Sequence, residues 1–93
     1  MNIQWDRRKA EANLRKHGVD FADAAVALED ENALTIEDLP SEEQRFKTLA
    51  LGPGIKVLLV VHAELDEDTI RIISARKAGR SETLQYYRGI THE

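Results

Sequence analysis

The sequence predicts an α+β domain: a small antiparallel β-sheet with two N-terminal helices and a C-terminal helix. Three observations carry that expectation. Two early segments pair an aspartate cap with apolar residues at helical spacing. Three later segments rich in β-branched residues follow one another through short connections. A last stretch, closed by Gly89, returns to a helical pattern. With 93 residues the chain reads as one domain, residues 1–93, without a repeat, a low-complexity segment or a linker.

Residues 3–5 suit a short strand, and Asp6 is a good N-cap for a helix over 7–16. His17-Gly18 ends that helix, because glycine takes the left-handed C′ position at little steric cost. Asp20 caps a second helix over 21–28, where Phe21, Ala24, Ala25 and Leu28 share one apolar face. After the acidic turn 29–32, residues 33–36 are expected as a strand. The next strand spans 44–51, and alternation puts Phe46, Thr48 and Ala50 on one face and Arg45, Lys47, Leu49 and Leu51 on the other. Gly52-Pro53-Gly54 turns the chain into 56–62. A Glu- and Asp-rich loop then precedes a strand over 69–75, and such short connections favour an antiparallel meander. Residues 76–88 are expected to form the closing helix, weakened in its first turn by Gly79.

Composition limits the function classes. The chain has no cysteine, which excludes disulfides and thiolate zinc sites. Its longest apolar run, 57–61, is far short of a membrane span, and the first residues have no signal-peptide pattern, so a cytoplasmic location is expected. The net charge of −4 hides an asymmetry. Residues 28–43 hold seven acidic side chains and no basic one, whereas 70–88 hold five basic ones against Glu82 alone. The second region suits a phosphate-rich partner, while the acidic total argues against tight nonspecific binding to duplex nucleic acid.

Arg71 interrupts the run Ile70, Ile72, Ile73. One reading is an arginine whose stem packs while its head reaches water; the other is an anion site, since a planar guanidinium grips phosphate by two hydrogen bonds. Glu43, Arg45 and Lys47 fall on one side of their strand, His62 ends the next, and Arg76 and Lys77 are placed at the start of the last helix. A meander would gather these groups on one side, where guanidinium groups would stabilise phosphoryl charge and Glu, His or Tyr would move protons. No metal and no cofactor is required: His17, His62 and His92 are scattered, and the chain has no phosphate-binding glycine loop and no nucleophile elbow. Trp5, Tyr86 and Tyr87 suit either base stacking or packing.

Taken in order, Trp5-Asp6, Lys9, Asn13, Lys16-His17-Gly18-Val19, Phe21, Ala24, Leu34 to Asp38, Glu43-Gln44-Arg45-Phe46, the run 57–61 and the run 70–78 resemble the BrnT family of type II toxin-antitoxin toxins. The resemblance implies a RelE-like fold, an endoribonuclease that needs no metal, and inhibition of translation. It also implies a BrnA-type ribbon-helix-helix antitoxin that holds the toxin in a hetero-oligomer and alone contacts operator DNA. Carried onto this sequence, it assigns Arg45, Arg71 and Arg76 to phosphate and transition-state charge, and Glu43 or Tyr86 to proton transfer. It assigns Lys77 to the RNA backbone, and Lys47 and Arg80 are further RNA-binding candidates beside it. Ala50 stands where the family has a glycine, and His62 stands where it has a tyrosine and is a candidate acid. Gly79, Ser81 and residues 83–85 replace a more basic helix face, which leaves a catalytically weak binding module as the alternative.

Overall fold

The computed structural model describes residues 1–37 and 44–91. The elements run β1 (Asn2–Gln4), α1 (Arg7–His17), α2 (Phe21–Ala27), β2 (Leu34–Glu37), β3 (Arg45–Gly52), β4 (Lys56–Asp66), β5 (Thr69–Lys77) and α3 (Arg80–Thr91). One five-stranded sheet has the order β1-β5-β4-β3-β2. Strands β2 to β5 form the expected antiparallel meander. The first strand departs from it, running parallel to β5 with Ile3 opposite Ile70. No helix among the described residues is long and apolar enough to cross a membrane.

The N-terminal helices start and stop where their caps dictate. Asp6 Oδ1 accepts the amide hydrogens of Arg8 and Lys9 at 2.8 and 3.1 Å, satisfying donors that the first turn leaves open. Gly18, at φ 72°, donates its N–H to the Leu14 carbonyl at 2.9 Å and closes α1. Asp20 caps α2 by accepting the Ala22 amide hydrogen at 2.9 Å. At the end of β3 a β-carbon on Gly52 would lie 2.9 Å from Leu58 Cδ1 of the neighbouring strand β4, so only glycine leaves that side chain its place beneath α2.

Asn13 joins the helical layer to the sheet. Its side-chain Nδ2 donates to the carbonyls of Val19 and Ala75 at 3.0 and 2.8 Å, and its Oδ1 accepts the Ala75 N–H at 3.1 Å. Strand β1 ends opposite Arg71, so the Asn13 amide stands in for a strand neighbour where β5 continues alone. On that face Val19, Phe21, Ala24 and Ala27 pack against Ala50, Leu58, Val60, Ile72 and Ala75. The opposite face buries Leu49, Val57 and Leu59 beneath Tyr86 of α3.

Two boundaries correct the sequence expectation. Strand β4 continues to Asp66 rather than yielding to a loop at Glu64, because Glu64 still pairs with Ile70 and Asp66 with Thr69 across an irregular register. Strand β5 continues to Lys77, pairing Arg76 with Leu59 and Lys77 with Leu58, so neither residue belongs to the closing helix. That helix waits for its own cap. Glu82 Oε1 accepts the Gly79 N–H at 2.8 Å, and Thr83 Oγ1 donates to the Gly79 carbonyl at 2.9 Å.

Candidate functional site

The cations are arranged by strand register. Arg45, Ala63 and Arg71 lie opposite one another on β3, β4 and β5. Lys47, Val61 and Ser74 form the next rung, and Leu49, Leu59 and Arg76 the third. All three rungs point to the face that carries α3, since Leu49 and Leu59 are buried there. Helix α3 covers only the third rung's end of this face, and Arg45, Lys47, Arg71 and Arg76 remain partly accessible. Ala63, 1 % exposed, is the floor between two arginines. Two strand spacings put the α-carbons of Arg45 and Arg71 roughly 10 Å apart, within reach of one phosphodiester for side chains of that length.

A β-bulge creates this arrangement. Val61 pairs with Ser74 but His62 pairs with Ile72, so Ile73 is an extra residue on β5. Strict alternation would put Arg71 and Arg76 on opposite faces. The insertion instead returns Ile72 and Ala75 together to the helix-packed core and turns Arg71 and Arg76 to the same side.

Glu82 is the acidic side chain that α3 brings to this edge, a residue that the sequence pattern alone does not mark as part of the site. Its Oε1 and Oε2 accept Arg76 Nη1 and Nη2 at 2.8 and 3.0 Å. The Arg76 hydrogen bonds, then the Gly79 amide, hold its carboxyl below the usual range, and Lys47 adds to this. The same pair raises the Arg76 pKa further. A groove between α3 and the β2–β3 edge runs alongside, with Leu34, Ile36, Leu49 and Leu59 as its apolar lining and Lys47, Glu82 and Gln85 at its polar positions. The only sequence signal for Glu82 was its place three residues after Gly79, the spacing of a capping contact.

Other candidates lie elsewhere. Lys77 is opposite Leu58 and lines a hollow with Gly18, Val19 and Lys56, on the helix-packed side of the sheet. Arg80 is exposed at the start of α3. Tyr86 is buried, and its hydroxyl donates to Asp30 Oδ2 at 2.5 Å. Burial and that bond push the tyrosine's pKa up, which suits a tie between α3 and the α2–β2 turn and disfavours proton transfer at the cationic face. Burial also raises the Asp30 pKa, but the Tyr86 hydroxyl and the Leu51 and Asn32 amides outweigh it and leave the carboxyl below its ordinary value. Trp5 packs edge-on against Phe21 with ring centres 6.3 Å apart. Glu43 and His92 lie outside the described residues.

His62 faces away from the arginines. Its position is that of Val60 and Leu58, on the side packed by α1 and α2. Nε2 lies 2.8 Å from Thr48 Oγ1, which lies 2.8 Å from Thr35 Oγ1, and the ring stacks on Phe46. Buried Nδ1 has no hydrogen-bond partner among the described residues. Desolvation lowers the pKa from the ordinary 6.5, so the unfolded chain takes up a proton at a higher pH than the fold does. Stability is therefore expected to fall as pH drops from 6.5 to the lower folded pKa. The depressed carboxylates Asp30 and Glu82 contribute losses only at lower pH, below their ordinary values of 3.8 and 4.5. Urea titrations at successive pH values check this: His62→Gln should flatten the upper window, and an unchanged slope there would assign it to another group.

Among the described residues no cluster of three or more His, Asp or Glu side chains could hold a metal ion. The family described as the ribonuclease toxin BrnT of type II toxin-antitoxin systems matches residues 5–82. The 1.1 Å crystal structure of the Brucella abortus ribonuclease toxin BrnT superposes with a TM-score of 0.68. It is 28% identical in sequence, with 86% of this chain and 99% of that chain covered. A comparison with curated proteins finds no match.

Proposed function

Because the chain belongs to the BrnT family of ribonuclease toxins of type II toxin-antitoxin systems, we propose that it is an endoribonuclease that cuts RNA without a divalent metal and so halts translation. The observation that carries the reading is the Arg45–Ala63–Arg71 rung, with Lys47 and Arg76 on the same face. In a metal-free cleavage, an RNA 2′-hydroxyl attacks the adjacent phosphorus as its proton leaves for a base. A 2′-oxygen–phosphorus bond forms, the phosphorus–5′-oxygen bond breaks, and the 5′-oxygen takes up a proton. The products are a 2′,3′-cyclic phosphate and a 5′-hydroxyl.

Charge builds on the non-bridging oxygens during that step, and guanidinium groups already aimed at them stabilise it more than they stabilise the starting diester. Arg45 and Arg71 take those oxygens from two sides, and Lys47 holds a neighbouring phosphate. Glu43 is the proposed base, by the family pattern. A type II system supplies a protein antitoxin. The proposed one is a ribbon-helix-helix protein that covers the cationic face and carries the complex to operator DNA.

Purified protein in EDTA is expected to cut a single-stranded RNA oligonucleotide and leave cyclic-phosphate ends. Its induced expression should arrest growth unless the neighbouring antitoxin gene is co-expressed. Intact RNA together with unimpaired growth would reject the reading.

A further inference from the structure

Glu82 is assigned no part in cleavage by the family resemblance, yet its carboxylate makes three hydrogen bonds that meet at the cationic face. Two go to Arg76 and the third to the Gly79 amide at the start of α3. We propose that Glu82 is a positioning residue: it holds the Arg76 guanidinium end-on, so that the side edge of that group is presented to an RNA phosphate. The proposal rests on the ribonuclease reading and adds to it the residue that orients one of its arginines.

Counting donors supports the assignment. An arginine has five N–H hydrogens in a rigid plane. Arg76 commits two on Nη1, to Glu82 Oε1 at 2.8 Å and the Lys77 carbonyl at 3.2 Å, and one on Nη2, to Glu82 Oε2 at 3.0 Å. The two that remain, on Nε and Nη2, are parallel along one edge and have no partner among the described residues. Two parallel donors match two phosphate oxygens. The Arg76 side chain is 42% exposed, so it stands open to a ligand at this face, whereas Glu82 is 28% exposed and anchored at the helix start.

Anchoring matters because a long side chain must otherwise be ordered at the moment of reaction. A guanidinium already fixed by a fork to a carboxylate loses little freedom when the phosphate arrives. The carboxylate's own charge weakens the pull on RNA at this point, and Lys47, which acts on Glu82 from across the groove, offsets it. The arrangement therefore favours alignment over raw attraction. Loss of Glu82 should reduce turnover more than binding.

The test uses the full chain, single-stranded RNA and EDTA. Glu82→Gln keeps an oxygen for the Gly79 amide but loses the charged fork. It is expected to lower kcat roughly tenfold, the equivalent of about 1.4 kcal/mol, with KM changed less than about twofold. In an Arg76→Ala background the same change should have no further effect, because Glu82 acts through Arg76. Thr83→Ala, which removes the hydroxyl contact to the Gly79 carbonyl, loosens the same helix turn without touching Arg76 and should leave kcat within about twofold.

A Glu82→Gln protein as active as wild type, or more active, would overturn the proposal, the latter marking Glu82 as an inhibitory counter-ion. An equal loss in both backgrounds, or an equal loss from Thr83→Ala, would overturn it in favour of a helix cap alone. Lack of cleavage by wild type removes the ribonuclease reading first, and is distinguishable because it precedes any comparison of variants.

Discussion

Replacing Arg71 with alanine is expected to slow RNA cleavage about 10²- to 10³-fold while leaving the fold intact. That is the typical cost of deleting one preorganised donor to charge that develops in a transition state. Arg71 is intermediate in exposure and lies on the face that α3 leaves uncovered, so its truncation removes little buried surface. Single-turnover cleavage with saturating protein checks the magnitude, and thermal unfolding checks the fold. Arg71→Lys should recover part of the loss, since it restores charge without the two-pronged geometry. Combined with Arg45→Ala, the losses should be less than multiplicative, because both residues act on one phosphate. Wild-type cleavage by a folded Arg71→Ala protein would remove the rung from the mechanism.

Asn13→Ala should have the largest effect on stability. It removes three hydrogen bonds at once and strands the Ala75 N–H, the Ala75 carbonyl and the Val19 carbonyl beside a buried core. Each unsatisfied buried group costs about 1–3 kcal/mol, so a loss of at least about 3 kcal/mol is expected. For a domain of this size that lowers the melting temperature by roughly 12–24 °C. Exposed Leu14→Ala, one position along the same helix, serves as the control and should change little. A shift of under about 3 °C for Asn13→Ala would mean that the strand edge finds other partners.

Local chemistry made most elements legible. The two aspartate caps and Gly18 mark the ends of α1 and the start of α2, and alternation along β3 separates Arg45 and Lys47 from Phe46 and Thr48. What escaped was nonlocal. The parallel pairing of β1 with β5 joins residues far apart in sequence, and no short pattern announces it. The bulge at Ile73 is equally silent, although it decides that Arg71 and Arg76 share a face. Strand adjacency in the meander suggests that His62 joins the arginines, but its alternation with Val60 puts it on the other side. Lys77 followed Arg76 in sequence and, with strand geometry extending through both, had to face away from it. Tyr86 shows a further limit: nothing near it in the sequence points to Asp30 as its partner.

The position of β5 has a consequence in time. Arg71 and Arg76 are both on this strand, which is made after the other four of the sheet and is the one that β1, β4 and the Asn13 amide all grip. Until it emerges, β1 and Asn13 wait without their hydrogen-bonding edge, and Arg45 stands without Arg71 across the sheet. A nascent chain that lacks β5 contains no Arg45–Arg71 rung. The order of the strands thus makes the cationic face a late product of synthesis, assembled only once β5 pairs with β4.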